Sequence, residues 1–437
     1  MKIFTVEEAR KTILNRKALN RIDYSPLTIE RTEAFFGEGV TPPQAVGIIL
    51  DSIEAEGDVA LLKWSKLLDR FEGGSILVPQ EKMKEAWDNL PVEIQKVLQQ
   101  AANRIHAFHE KQPIQSWISE DMGGKLGQRF TAIERVGAYV PGGTAPLPSS
   151  LLMSVIPAKV AGVKEIYVAT PPEVDPSILA AGYLCGVDAL YQVGGAQAIA
   201  ALAFGTETVQ KVDKIVGAGN LFVTLAKMQL FGTVGLDGIY GPTETVVIAD
   251  RTANPAWVAA DLLAQAEHDV QATAILLTPD MDLARAVEKE VKEQTAQLSR
   301  ADIINVSIDN AGGIVLVDSL DQAAELANAF ATEHLCLSVQ DPEALMAKIN
   351  NAGGFFLGDH SFEVLGDYVA GPSHVMPTGG SARFNSPLNV LDFVKLSSVV
   401  GLEDGSAQEL GLIAAELADL EGLTAHAAAV RARAVSK

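Results

Sequence analysis

Seven histidines among 437 residues are a sparse supply, so the company each one keeps is informative. His268 follows Gln265 by three positions in DLLAQAEHD, on a segment that predicts a helix capped by Asn254 with Pro255 in its first turn. Positions i and i+3 share a helix face, so the Gln oxygen and the imidazole can reach one cation together, or they can form a plain surface cluster. Glu333 and His334, in ATEHLCLSV, stand where a helix hands over to a strand, an edge read here as one that carries active-site loops. An acid beside an imidazole suits proton transfer, because His titrates near neutral pH and partial burial raises a Glu toward it. The bland alternative is a surface pair. Asp367 and His374 lie in GDYVAGPSHVMPTGGSARF, which reads as neither helix nor strand. There each can complete a metal sphere or tie the loop through hydrogen bonds. His426, among alanines in EGLTAHAAAV, reads first as a structural residue, and His360 as a loop residue. His106 and His109 are spaced i, i+3 but lack a third donor, and read as a solvated helical face.

Glycine turns are the second chemical signal. The dinucleotide fingerprint GxGxxG is absent, but VGGAQAIAALAFG at 193–205 and VGAGNLF at 216–222 each read as strand, glycine turn and helix start. A PGG turn at Pro141 to Gly143, just after Tyr139, is a third such loop. Such turns let backbone amides meet a phosphate at a helix N-terminus, and close packing of strand on helix explains them as well.

The elements around these residues read as α/β. Residues 1 to about 115 mix polar and apolar positions at helical spacing, and from about 127 short β-rich runs alternate with alanine-rich helical stretches. RVGAYVPGG, KEIYVATPP, ALYQVGG, DKIVGAGN and ETVVIAD form one set; ATAILLTPD, GGIVLVDS, HLCLSV and GGFFLGD form a second. That alternation predicts βαβ units and two mostly parallel sheets. NAGG, at 310–313 and 351–354, reads each time as a helix stop. After Pro387 the chain reads as helical without strand signals.

Composition bounds the function. At 48% hydrophobic and 20% charged the chain is a folding one, and its length calls for two or three domains. The 34 basic residues against 55 acidic ones, a formal charge of −21, disfavour nucleic acid and anionic membrane surfaces. Two cysteines without CxxC spacing, no signal-peptide pattern in MKIFTVEEARKTILNRK and no apolar run of membrane length point to a cytoplasmic chain. Cys336 reads as strand core.

Taken together, RVGAYVPGGTAPLPSS, VGGAQAIAALAFGT, VDKIVGAGN, GPTETVVIAD, DLLAQAEHD, ATEHL, GDYVAGPSHVMPT and EGLTAHAAAVRAR resemble the histidinol dehydrogenase family, in its order and from about residue 30 onward. The resemblance implies a homodimeric, zinc-dependent enzyme that completes histidine biosynthesis by oxidising histidinol to histidine with two NAD. It implies two incomplete Rossmann-like domains with mostly parallel sheets and small helical N- and C-terminal extensions. By motif, Gln265, His268, Asp367 and His426 match the family's zinc ligands, His426 arriving from the neighbouring chain to make a site shared across the dimer. Glu333 and His334 match its acid and base: His334 takes the alcohol proton and Glu333 activates the water that adds to the aldehyde. The zinc is expected mainly to hold the substrate. Thr243, His374 and Glu421 match further substrate contacts, beside Gln265, His268, His334, Asp367 and His426, while Tyr139, Gln197 and Asn220 match NAD contacts.

The domain limits expected on this basis are an extension at 1–27, a zinc and catalytic α/β domain from 28–115 with 243–386, an NAD-binding α/β domain at 116–242, and a C-terminal helical arm at 387–437 that reaches the partner. Thr243 for serine, Ala218 and Val270 for proline, Ser373 for asparagine and Leu147 for an aromatic depart from the family's usual residues without touching the proposed ligands or bases. They leave room for an alternative, a zinc- and NAD-dependent relative acting on another small polar alcohol such as a sulfonated diol. A sulfonate would want Arg or Lys where Glu421 and His374 stand. A zinc hydrolase would leave Tyr139, Gln197 and Asn220 without a role.

Overall fold

The computed structural model describes residues 1–16, 24–142 and 146–434. Gly143 of the PGG turn, residues 17–23 of the expected N-terminal extension and the last three residues of the expected arm lie outside the described residues. The chain divides into a larger unit, residues 1–112 with 134–393, and a smaller one, residues 113–133 with 394–437.

Two six-stranded sheets build the larger unit. One runs β2 (Leu77–Val78), β7 (Ala189–Gln192), β6 (Glu165–Thr170), β5 (Arg135–Tyr139), β8 (Lys214–Val216), β9 (Gly235–Leu236). The other runs β1 (Ile3–Thr5), β12 (Gly313–Leu316), β11 (Thr273–Thr278), β10 (Glu244–Ala249), β13 (His334–Ser338), β14 (Gly354–Leu357). Every pairing is parallel except that of β2 on β7. Without the edge strands β1 and β2, both sheets share one order: third, second, first, fourth and fifth strand in sequence. This is a doubly wound pattern with a switch point beside the first strand.

Strand composition follows from burial on both faces. In β10, Val246 and Ile248 pack with Ile275, Leu277, Leu335 and Leu337, while Val247 and Ala249 pack on the opposite face with Leu276 and Cys336. A strand covered on both sides has no use for polar alternation, which is why ETVVIA is nearly all apolar. Cys336 is core, as its strand position suggested. On the first sheet the alanine-rich helix Gly195–Phe204 packs against the helices Pro42–Glu56 and Leu221–Leu230, which also pack on each other. Its small side chains allow that close approach, and Ala196 through Ala203 are all buried.

The structure corrects several expectations. The first 115 residues are not all helix: β1 is an edge strand of the second sheet and β2 of the first. Residues 28–115 were grouped with 243–386, yet the helix Pro42–Glu56 packs on Gly195–Phe204, Gln80–Asn89 on Pro176–Cys185 and Val92–His109 on Pro148–Val160. They therefore cover the sheet of β5 to β9, because amphipathic helices carry no mark of which sheet they will cover. The first NAGG does stop a helix, with Gly312 at the C-cap of Ala301–Ala311; the second lies beyond a helix that has already ended at Met346. His109 is buried, its Nδ1 2.8 Å from Ile105 O, and is no part of a solvated face.

The smaller unit holds an antiparallel sheet, β15 (Val394–Leu402), β4 (Gly124–Ala132) and β3 (Trp117–Ser119), with the helices Asp404–Leu420 and Thr424–Ala434. The expected arm thus contains a nine-residue strand. VKLSSVVGL is β-branched and apolar enough to pair, but its serines and glycine hid the signal. The two helices pack on each other through Ala415, Ala418, Ala427 and Val430. Leu396, Val400, Leu412, Ile413, Leu417 and Leu420 remain exposed.

One buried ion pair ties down two loops of the first sheet. Lys227 Nζ meets Asp237 Oδ1 at 2.6 Å with both side chains at 2% exposure or less. The same two groups hold Gly217, whose carbonyl accepts from Lys227 (2.9 Å) and whose N–H donates to Asp237 (2.7 Å). Gly217 has φ +101°, and a Cβ there would meet Tyr139 O at 2.2 Å. Lys227→Met strands the Asp237 carboxylate in the interior and is expected to cost about 3–5 kcal/mol in denaturant unfolding, whereas a loss under 1 kcal/mol would mean that the carboxylate finds other partners.

Candidate active site

A cavity of about 200 Å³ opens in the larger unit, lined from the first sheet by Tyr139, Gly217 and Ala218 and from the second by Thr243, His268, Glu333, His334, Asp367 and His374. Tyr139 ends β5 and Gly217 follows β8, so these come from the carboxyl edge at the switch point, where open α/β sheets bind ligands. The second sheet behaves differently. Glu244 is the first residue of β10 and His334 the first of β13, with Thr245 opposite His334 in the ladder. Glu333 and His334 therefore sit at the amino edge. They do stand where a helix, Leu320–Phe330, hands over to a strand, but that edge is the reverse of the usual ligand edge.

The acid and the imidazole are buried, not a surface pair. Glu333 and His334 are 6% and 3% exposed. Glu333 Oε2 accepts from Thr243 Oγ1 (2.6 Å) and from Glu244 N–H (3.0 Å). Burial raises the Glu333 carboxyl above its ordinary range, opposed by His334, the Thr243 hydroxyl and the Glu244 amide. Burial alone would lower His334, but Glu363, Glu333 and Asp367 outweigh it and hold the imidazole well above its ordinary value. Its Nδ1 lies 3.7 Å from Glu333 Oε2 and 4.0 Å from Glu363 Oε1, and its Nε2 lies 3.5 Å from Asp367 Oδ1.

Asp367 lies on a short helix, Glu363–Tyr368, not on irregular loop as expected. Burial would raise its carboxyl, but the hydrogen bond and charge of His334, with His374 and His268 beyond, hold it below the ordinary value. His374 is on the loop that follows. Its Nδ1 is 2.8 Å from Asp367 O and its Nε2 3.2 Å from Ser150 Oγ. Burial lowers it, so the neutral ring donates from Nδ1 and keeps Nε2 as an acceptor toward the cavity.

Gln265 and His268 part company. The helix Pro255–Ala266, capped by Asn254 as expected, ends before His268, which is exposed in the following turn and lines the cavity. Gln265, 1% exposed, stands behind the cavity wall. Its amide nitrogen donates to Glu363 Oε1 (2.7 Å), and its oxygen accepts from Glu244 N–H (2.7 Å) and lies 2.6 Å from Thr243 Oγ1, whose one proton is shared between this oxygen and Glu333 Oε2. Among the described residues no group of three or more His, Cys, Asp or Glu is arranged to hold a metal. Two donors, His268 and Asp367, do face one cavity, and Asp367 is held ionised as ligation requires.

Tyr139 and Gln197 are buried and Asn220 is exposed, all at the carboxyl edge of the first sheet. Asn220 caps the helix Leu221–Leu230, accepting from Phe222 and Val223 N–H. Glu421 and His426 belong to the smaller unit, where both are exposed; His426 is on the helix Thr424–Ala434.

Sequence reasoning missed two buried carboxylates. Glu244 pairs with Arg16 (2.7 Å), and burial lifts it to about 7 against the pull of that guanidinium. Arg16 also donates to Phe330 O (2.6 Å). Glu363 accepts from Thr245 Oγ1 (2.5 Å) and is lifted by burial to about 7. Glu244 had a signal, as the one charge opening an otherwise apolar strand; Glu363 had none. With Glu333 and Asp367 they make four carboxylates against one imidazole and one guanidinium, a cluster that favours a cation.

Comparison with known proteins identifies the family. The family model for histidinol dehydrogenase matches residues 40–434. Histidinol dehydrogenase of Thermus thermophilus is 49% identical over 387 residues, covering 89% of this chain and 93% of the relative. That of Deinococcus radiodurans is 45% identical over 440 residues, 99% of this chain and 100% of the relative. The crystal structure of histidinol dehydrogenase from Elizabethkingia anophelis superposes with a TM-score of 0.91 at 34% identity, covering 100% of this chain and 98% of that one.

Thr243 links the Glu333 carboxylate to Gln265, so Thr243→Val, which keeps shape and removes the hydroxyl, is expected to cost about 1–3 kcal/mol of stability. Unfolding midpoints in urea measure it, and an unchanged midpoint would remove the hydroxyl from the network.

Proposed function

The chain belongs to the histidinol dehydrogenase family, whose members are NAD-linked oxidoreductases. From that premise we propose that it oxidises L-histidinol through the aldehyde to L-histidine with two NAD, in the cytoplasm, as the last steps of histidine biosynthesis. The observation that carries this reading is the single cavity that brings the buried Glu333 and His334 together with Asp367, His268 and the Tyr139 and Gly217 edge of the first sheet. No observation favours the alternative alcohol.

Each residue then has a task. In the first oxidation His334 takes the hydroxyl proton as a hydride leaves the carbon. After His334 has passed that proton to solvent, Glu333, raised by burial, takes a proton from the water that adds to the aldehyde, and the resulting diol gives a proton to His334 as the second hydride leaves its carbon. Tyr139, Gln197 and Asn220 would hold NAD, which would supply the hydride acceptor for both oxidations. His374 Nε2, Thr243 and Glu421 are suited to the polar groups of an amino alcohol.

The donors suit zinc in kind: Gln265, His268 and Asp367 from one chain, and His426 from a second copy, form a mixed nitrogen and oxygen set beside a surplus of carboxylates. When bound, zinc would hold the imidazole and amine of the substrate and offset the carboxylate charge that keeps His334 protonated. Only His268 and Asp367 line the cavity, so one chain by itself falls short of the three or four ligands zinc takes. In a homodimer His426 of a second copy would add a further one. The exposed leucines, valine and isoleucine of the smaller unit, which also carries His426, support such an interface. No helix among the described residues is long and apolar enough to cross a membrane.

Purified protein is expected to form two NADH per histidinol, to lose turnover on chelation and to regain it with zinc. One NADH per substrate would confine the enzyme to the first oxidation. His426→Asn is expected to lower zinc content and activity together, and Glu333→Gln to slow the aldehyde step more than the alcohol step. Mixed refolding of the two variants should restore about a quarter of full activity, since half of random dimers carry one intact shared site. No restoration would place each site within one chain.

A further inference from the structure

The Asp69 carboxylate lies at the carboxyl edge of the first sheet, outside every role assigned so far. Asp69 is the C-cap of the helix Asp58–Leu68, its backbone N–H donating to Ser65 O, and is followed by Arg70 at φ +56°. Its Oδ2 accepts from Gly194 N–H (3.1 Å) and from Gln197 Nε2 (2.9 Å). Gly194 and Gly195 form the turn between β7 and the helix Gly195–Phe204, and Gly195 N–H donates to Tyr139 Oη at 3.2 Å.

A Gln amide can present either end, and here one end is dictated. A carboxylate accepts and does not donate, so it takes the amide nitrogen and turns the oxygen away. Gln197 is 1% exposed, and its Oε1 has no hydrogen-bond partner among the described residues. That oxygen lies over the glycine turn, where a Cβ on Gly195 would come within 2.8 Å of it. Buried acceptors without a donor are rare and mark places where a ligand supplies one. The negative charge on Gly194 N–H also disfavours phosphate at this helix start, leaving a neutral donor, a hydroxyl or a carboxamide N–H, as the matching group.

We propose that Asp69 is a positioning residue for NAD: it locks the Gln197 amide so that the carbonyl oxygen, held at the Gly194–Gly195 turn beside Tyr139, accepts a hydrogen bond from a hydroxyl or carboxamide of the dinucleotide. This rests on the reading of Gln197 as an NAD contact. Asp69 acts through Gln197 and does not itself touch the reacting atoms.

The test is the dissociation constant of NAD for the purified protein, read by calorimetric titration without substrate, beside KM and kcat with NAD and histidinol varied separately; the two readings of NAD affinity are expected to move together. Gln197→Ala is expected to raise KM for NAD roughly tenfold, the worth of one such hydrogen bond, with KM for histidinol and saturating kcat within twofold. Asp69→Ala should give the same split, Asp69→Asn should recover most of it because the amide oxygen still accepts, and the Asp69→Ala, Gln197→Ala double variant should be no worse than Gln197→Ala. Multiplying losses in the double variant, or a normal KM for NAD in Asp69→Ala, would overturn the positioning role. An unchanged KM for NAD in Gln197→Ala would instead sink the reading of Gln197 itself. If Asp69→Ala does not fold, Gln197→Glu sets two carboxylates face to face; Asp69→Asn must relieve its weakened NAD binding, and absence of relief overturns the proposal equally.

Discussion

An imidazole hemmed in by carboxylates sets the terms for everything around it. His334 is buried with Glu333, Glu363 and Asp367 all within 4.0 Å. Glu244 stands one ladder step away. So many acids at close range repel one another and lose hydration, and they persist only where the surroundings supply donors. Thr243 and the Glu244 amide serve Glu333, Thr245 and Gln265 serve Glu363, and Arg16 serves Glu244. The Glu244 amide and Thr245 lie on β10 and Gln265 near the end of a helix packed on it, so the site depends on the stiffness of the second sheet.

That sheet achieves the placement by using its less familiar edge. β10 and β13 are adjacent and parallel, with Thr245 opposite His334, so the residues at their amino ends bring Thr243, Glu333 and His334 into one wall. The first sheet offers its carboxyl edge at the switch point, with Tyr139 and Gly217. One edge suits a dinucleotide approaching glycine turns; the other suits groups held so rigidly that their proton affinities stay displaced. Lys227 and Asp237, both buried, fasten the Gly217 turn, and the half-buried Asp69 fastens the Gly194 turn, so both glycine loops are ordered by charged side chains.

Local chemistry was readable where residues announce themselves by type. The parallel strands were legible as apolar runs, the Asn254 cap as an N-terminal signal, and the Glu333 and His334 pair as an acid beside a base. The resemblance to the histidinol dehydrogenase family was carried by short motifs in order, which the comparisons bear out. The three-stranded antiparallel sheet was not legible, because VKLSSVVGL pairs with a segment more than 260 positions earlier and has no alternation to mark a face.

Long-range partners account for the remaining gaps. By itself the sequence determined the α/β class, the family and the residue types able to transfer protons or bind a cation, since these follow from local patterning and composition. Only the tertiary structure decided that the early helices cover the first sheet, that Gln265 turns behind the cavity wall while His268 faces into it, and that Glu244, Glu363 and Asp69 stand beside groups far away in the chain. Their roles come from burial and from donors brought in by folding, and a carboxylate in a sequence carries no mark of whether water or protein will surround it.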